Sequence, residues 1–432
     1  MYNIVLINIM PCKAGFTDLK ILITVIFLLY NILLPQHSSA QVLGCTDHKA
    51  LNFNPAAKYN DGSCFYEEIA ISPLSSFELS NIISETSGLI YWDNRIWTIN
   101  DSDDTNVYSL DTLDGNIIHP YPLNGTDNTD WEEISQDDEY LYIGDTGNNQ
   151  NGNRTDLKIL RISKSSLPVS SPGIDTIYFS YSDQSDFSPA GANNTDFDCE
   201  AFIVSADSIY LFTKQWVKNG TAVYSLPKSP GRYTAKLKTS YNIDGMVTGS
   251  VFLESKKLIA ICGYDAALQP FIYLLYDFNG TDFFSGNKRK IMISLPFHQI
   301  EGITTSDGKK YYLTNEQLIY EPLLNIKPQL HIVDLGSFLD VYLNSFLTMV
   351  RDDEVNYGYK IYPVPADYFL IVETDPVNLP SPYSLISQSG RALRSGIFTE
   401  EFSNIDVSGL PEGLYILNTG KNRKHSFKFL RK

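Results

Sequence analysis

DWEEISQDDEYLYIGD, Asp130 to Asp145, holds two short apolar strands separated by a polar turn. Its second half, EYLYIG, alternates as a half-buried strand does. The pattern returns four more times: ETSGLIYWDNRIWTIND (Glu85–Asp101), DCEAFIVSADSIYLFTKQ (Asp198–Gln215), VTGSVFLESKKLIAICGYD (Val247–Asp265) and IEGITTSDGKKYYLTNE (Ile300–Glu316). The turns read DN, QDD, AD, ESK and SDGK, and successive starts lie about 45 to 70 residues apart. Strands such as LKILRIS and TIYFSYS fill the gaps. A four-stranded unit at this period is a propeller blade. The expected fold is therefore all-β, a five- or six-bladed β-propeller followed by a small C-terminal β-sandwich. A sixth blade has room between Glu132 and Glu200. EEIAISPL (Glu67–Leu74) is expected to close the ring against QLHIVDL (Gln329–Leu335), and only Gly336–Met349 competes as a helix.

In such a blade the start of the first strand and the end of the second meet at one mouth of the central channel. That places Glu132 beside Asp145, Glu301 beside Asn315 and Glu316, and Ser87 beside Asn100 and Asp101. Thr248 meets Asp265, and Glu200 meets Lys214 and Gln215. Asp130 and Asp198 precede two of these glutamates by two residues, and Glu85 holds the corresponding place in the first blade. Crowded carboxylates cannot all stay ionised without protonation, pairing with Lys214 or Arg154, or a bound cation. An oxygen-only set without Cys or His suits calcium, or magnesium with retained waters, rather than zinc. The candidate metal ligands are Glu132, Glu200, Glu301, Asp145, Asp101 and Glu316, with calcium the candidate cofactor. The competing role for these acids is to accept backbone N–H groups at blade junctions.

The chain has 432 residues and a formal net charge of −17. That length allows two or three domains, and that charge argues against nucleic acid or an anionic membrane as partner. Residues 1–40 read as a signal peptide: Lys13 and Lys20 precede an apolar run, Ile21–Leu34, and the stretch ends on small residues at Ser38 and Ala40. The run is too short for the roughly 20 residues that span a bilayer. VLGC (Val42–Cys45) has the look of a lipobox, far beyond that run. Export permits disulfides; Cys199 and Cys262 lie in separate strands, as free thiols or as a bridge.

Three resemblances follow from quoted residues. GCTDHKALNFNPAAKYNDGSCFY (Gly44–Tyr66) resembles a short module of exported Bacteroidetes proteins. A Cys45–Cys64 disulfide is its obvious staple. Asp47, Asn52, Asn54 and Asp61 either bind calcium or hold turns. From about Tyr357 to Lys432, KIYPVPA, SLISQSGRAL, IDVSGLPEGLYIL and the basic ending KFLRK resemble the C-terminal sorting domain of type IX secretion substrates; Val364 stands where that family usually has Asn. This implies recognition by the type IX secretion machinery, with cargo secreted or held on the outer-membrane surface of a Bacteroidetes bacterium. The cargo's SGL…ND, DWE…YIGDTGNN and IEGI…YLTNE resemble SdiA-regulated and phytase-like propellers, which implies calcium near the channel and, for one branch, phosphoester hydrolysis.

The expected organisation is a signal peptide (1–40), the Cys-bracketed module (41–67), the propeller (68–340), a linker (341–356) and the sorting domain (357–432). Two functions stay open. One is a surface or secreted module binding a glycan, surface polysaccharide or protein ligand. The other is a calcium-dependent hydrolase, which needs a Lys/Arg cluster for phosphate; only Lys214, Arg154 and Lys158 are at hand. The six histidines show no nucleophile–base pattern, and GxSxG is absent. Trp92, Trp97, Trp131 and Trp216 serve the core or a sugar-stacking platform.

Overall fold

The computed structural model describes residues 42–168, 172–348, 358–387, 391–420 and 425–432. The signal peptide expected at 1–40 lies outside them. Each repeat becomes the inner hairpin of a four-stranded antiparallel sheet. The innermost strands are Thr86–Trp92, Trp131–Gln136, Asp198–Val204, Met246–Leu253 and Ile300–Thr305. They neighbour one another in that order, and the fifth returns to the first. The propeller therefore has five blades among the described residues. The interval that had room for a sixth is taken by the second blade's outer strands, Lys158–Ser163 and Ile174–Tyr181. The latter pairs in parallel with the third blade's outer strand, Gly231–Tyr241.

Turn chemistry agrees with each hairpin. Asp93 and Asn94 both adopt positive φ (51° and 57°), as a two-residue primed turn requires. Asp137 Oδ1 accepts the N–H groups of Glu139 and Tyr140, and Asp307 Oδ1 those of Lys309 and Lys310. Apolar faces pack between blades: Trp131, Ile134 and Leu141 meet Trp97 and Ile99 of the first blade. Fully burying one such side chain contributes about 1.5–3 kcal/mol.

Ring closure differs from expectation by a few residues. Ser75–Glu78, not Glu67–Leu74, forms the outer strand of the fifth blade against Gln329–Asp334. Ala70–Ile71 instead adds in parallel to the fourth blade's outer strand. Buried His331 joins the two chain ends: Ser76 Oγ lies 2.7 Å from its Nδ1 and Asn315 Oδ1 lies 2.8 Å from its Nε2. A helix over Gly336–Thr348 follows, seating Leu339 and Leu343 against Leu258 and Tyr311. The propeller body thus runs into the stretch expected as linker.

The N-terminal module is stapled by Cys45–Cys64, which leaves Cys45 no thiol for a lipid. Two of its oxygens hold turns, Asp61 Oδ1 accepting Ser63 N–H and Asn54 Oδ1 accepting Ala56 N–H, while Asn52 Oδ1 accepts Phe65 N–H and ties the two sides of the module together. Asp47 Oδ2 accepts the hydroxyls of Tyr66 and Tyr276, docking the module on the fourth blade. Arg289 is sandwiched between the rings of Tyr66 and Phe338. Cys199 and Cys262 are buried free thiols. The described residues of 358–432 form a sandwich of three-stranded and four-stranded sheets around Leu370, Leu385, Leu417 and Phe429.

Candidate metal centre and the two mouths of the channel

Every inner strand carries a β-bulge near its start. Glu132, Glu200, Thr248 and Glu301 are each the unpaired extra residue, and the first blade's bulge falls between Ser87 and Ile90. A bulge re-aims a side chain that strict alternation would send elsewhere. It explains how Glu132 and Glu133, adjacent in sequence, are both buried at the channel.

The two have different surroundings. Glu133 lies inside the channel: Oε2 accepts Ser250 N–H at 2.7 Å from the fourth blade, and Oε1 accepts Ile134 N–H at 3.0 Å. Phe202 N–H of the third blade adds a further bond. Gly88 leaves the space, since a Cβ there would come 2.5 Å from Glu133 Oε1, and its φ of +63° favours glycine in any case. Burial pushes the Glu133 carboxyl well above the usual range, while the Ser250 and Ile134 donors pull it back. This acid does what the blade-junction reading assigns, for three of the five blades.

Glu132 is only 5% exposed, and its carboxyl receives no hydrogen bond among the described residues. It belongs to two carboxylate groups, one with Asp101 and Asp130 and one with Asp198 and Glu200. In each, one oxygen per residue lies within 4.8 Å of the others. Burial, then the charges of Glu200 and Asp101, raise its pKa far above the usual value. Burial and Asp130 push Asp101 up to about 9; burial and Asp198 push Asp130 up to about 6. Gly147 backs the site so closely that a Cβ would come 2.2 Å from the Asp130 carboxyl and 2.4 Å from Glu132.

The other candidates fare unequally. Buried Asp145 is held by Arg154 at 2.7 Å and Lys158 at 3.0 Å, so it is paired rather than open to a cation. Asp198 accepts Asn148 N–H and the Trp216 indole N–H. Glu200 meets buried Lys214 at 3.0 Å. Burial opposes that lysine's charge, but Glu200, Tyr264 and Glu301 hold its pKa above the ordinary value. Glu301 feels Lys214 and Glu316; burial drives it to about 8 and Glu316 to about 7. The fourth blade contributes no acid, because Asp265 caps its own turn through Ala267 and Gln269. All three cations counted for a phosphate site are thus engaged by carboxylates.

The opposite mouth, formed by the hairpin turns, escaped the sequence reading. The channel there is a cavity of about 280 Å³ floored by Ser250 and lined by all five blades. It adjoins one of about 840 Å³, with which it shares Tyr91, Gln136, Val204 and Phe252, and which is bordered by Trp92, Tyr140, Asp138, Glu139 and Lys164. Turn residues carry no repeat signal, and alternation marks their neighbours only as core. Trp131 and Trp97 are core as one expectation had it; Trp92 is half-buried at this cavity.

Residues 360–431 match the family model described as a secretion system C-terminal sorting domain. No curated protein matches the chain. Among solved structures, one of PorZ, a surface component of the type IX secretion system of Porphyromonas gingivalis, is 11% identical with a TM-score of 0.27. That match covers 80% of this chain and 45% of PorZ, so the chain spans less than half of that protein. A mitotic checkpoint complex structure matches at 11% identity and TM-score 0.32, covering 63% of this chain and 98% of that one. The designed protein Ika8 matches at 8% and 0.25, covering 84% and 99%. Likenesses this weak bear on neither fold nor function. The sorting domain does: it implies export by type IX secretion, with the protein secreted or on the cell surface of a Bacteroidetes bacterium.

Proposed function

We propose that the propeller is a non-catalytic ligand-binding module that holds a divalent cation, calcium by its donor set, at the acidic mouth. The observation that carries this is Glu132, a buried carboxyl without a hydrogen-bond donor, set between two carboxylate pairs. A carboxyl buried there stays protonated unless a cation compensates its charge. Asp101, Asp130 and Glu132 would hold the ion, which would supply charge neutralisation and tie the first two blades together, with Asp198 and Glu200, already engaged by Asn148, Trp216 and Lys214, flanking it. All donors are oxygens, as calcium prefers. No observation favours the phosphoesterase: Lys214, Arg154 and Lys158 each face a carboxylate, leaving none of them to receive phosphate.

The test is calcium titration of the full exported chain by calorimetry, with thermal melts in calcium and in EDTA. A ligand bound only by the folded state adds about 2.7 kcal/mol at a hundredfold excess over Kd. Saturable heat and a raised Tm, both lost in Glu132→Gln, support the centre. Heat and Tm unchanged by calcium at neutral pH remove it.

A further inference from the structure

We infer that the hairpin Leu318–Ile326, which stands on the acidic mouth, docks a partner protein through a segment that joins large apolar side chains to lysine or arginine. This goes beyond the cation reading, because the hairpin contributes none of Asp101, Asp130 and Glu132.

The hairpin departs from the repeat. In every blade the second strand ends at the acidic mouth and the third begins there, so the link between them lies on that mouth. In the first four blades the link is short or polar: DSDDT (101–105), TGNNQNGNRTDL (146–157), QWVKNG (215–220) and DAALQ (265–269). In the fifth it is EQLIYEPLLNIKP (316–328), within which Leu318–Tyr320 pairs with Leu324–Ile326 as a two-stranded sheet outside the blade. A lone two-stranded hairpin is marginal by itself and gains from being covered. Ile319, Tyr320 and Leu323 are nevertheless 50%, 68% and 79% exposed on it. Ile319 and Tyr320 point to opposite faces of the ribbon, so neither face is covered by a blade. Gln317 N–H donates to the Ser84 carbonyl, which sets the hairpin beside the turn that bears exposed Ile82. Apolar surface gathered on one projecting element marks an interaction site, and protein interfaces are enriched in tyrosine.

Charge decides the kind of partner. Exposed Glu321 sits at the hairpin's turn, Glu316 at its base, and exposed Glu85 next to Ser84. Lys327, at the end of the hairpin, is paired with Glu78 at 2.6 Å, and Lys214, in the mouth, with Glu200 at 3.0 Å. Glu85 and Glu321 are left without an ion pair among the described residues. An apolar ribbon ringed by such carboxylates repels anionic lipid headgroups and attracts lysine and arginine. A second copy, docked hairpin to hairpin, would bring the same acids face to face.

The experiment pans a phage-displayed random dodecapeptide library on the full exported chain and, in parallel, on Ile319→Ser/Tyr320→Ser/Leu323→Ser. All three side chains are exposed, so the fold survives, which the Tm checks; Leu323→Ser alone repeats the comparison if the triple variant melts lower. An enriched peptide is then synthesised and titrated by calorimetry, in calcium and in EDTA. The expected result is a family of sequences joining basic to large apolar residues, enriched on the wild type alone. Affinity falls about tenfold or more in the hairpin variant and several-fold in Glu85→Gln/Glu321→Gln. It is unchanged in Asp138→Ala/Glu139→Ala, which removes the same charge at the opposite mouth, and in Glu132→Gln, so it stands even where the cation centre fails. No enrichment on the wild type, equal enrichment on both chains, peptides without basic residues, or an equal loss in Asp138→Ala/Glu139→Ala overturns the proposal. A wild-type dimer that the hairpin variant turns into a monomer, or hairpin-dependent binding of phosphatidylglycerol vesicles without peptide enrichment, overturns it equally.

Discussion

Glu133 Oε2 accepts the backbone N–H of Ser250 at 2.7 Å, from the second blade to the fourth across the propeller channel. One carboxyl therefore satisfies backbone donors of three blades, a task usually spread over several residues. Glu133→Ala leaves the N–H groups of Ser250 and Phe202 unpaired and buried, each costing about 1–3 kcal/mol. We expect a loss of about 3 kcal/mol in urea unfolding, and a smaller loss for Glu133→Gln, whose amide oxygen still accepts. An unchanged midpoint in Glu133→Ala would show that the channel floor is dispensable.

The acidic mouth predicts an unusual pH dependence. Folded values of about 9, 8, 7 and 6 for Asp101, Glu301, Glu316 and Asp130 all exceed those of the unfolded chain, near 4. The folded state then binds more protons. The stability these groups contribute is complete below pH about 4 and is lost as pH rises through their folded values. His331 acts oppositely: burial lowers it to about 3, so its contribution fades as pH falls below about 6.5. A cation replaces the shared protons, so the Tm difference between calcium and EDTA should widen from about pH 5 to about pH 8. A constant difference would place the ion elsewhere.

Lys214 and Glu200 form a buried pair at 3.0 Å. Removing one partner strands the other, which costs about 3–5 kcal/mol. Lys214→Met should therefore be severely destabilising, and Lys214→Met/Glu200→Gln should recover much of the loss. A double-mutant cycle by urea denaturation reads the coupling; additive losses would mean that the pair is not coupled.

Closure of the ring rests on Ser75–Glu78. Deleting residues 42–80 exposes the edge of Gln329–Asp334 and removes the partner of His331, so that variant should associate. Deleting 42–66 keeps the closing strand and should leave a monomer. Size-exclusion chromatography separates the two, and a monomeric, equally stable 42–80 deletion would show that the strand is not needed.

The five hairpins, the Cys45–Cys64 clip and the C-terminal sandwich were legible because each is local. Alternation, turn residues and short cysteine spacing act within a few tens of residues. The convergence of Glu132, Glu200 and Asp101 was also legible, since equivalent places in a repeat meet on one axis. Tertiary structure decided what each acid does there. Strict alternation would separate Glu132 from Glu133; the bulge buries both, and only the positions of Ser250, Phe202 and Gly88 make one a plug while its neighbour stays without a donor. Asp145 and Glu132 look alike in sequence, yet Arg154 and Lys158 reach only the first. The turn-side cavity has no sequence signature at all. Its walls come from turns of different blades, and their adjacency exists only once the ring has closed.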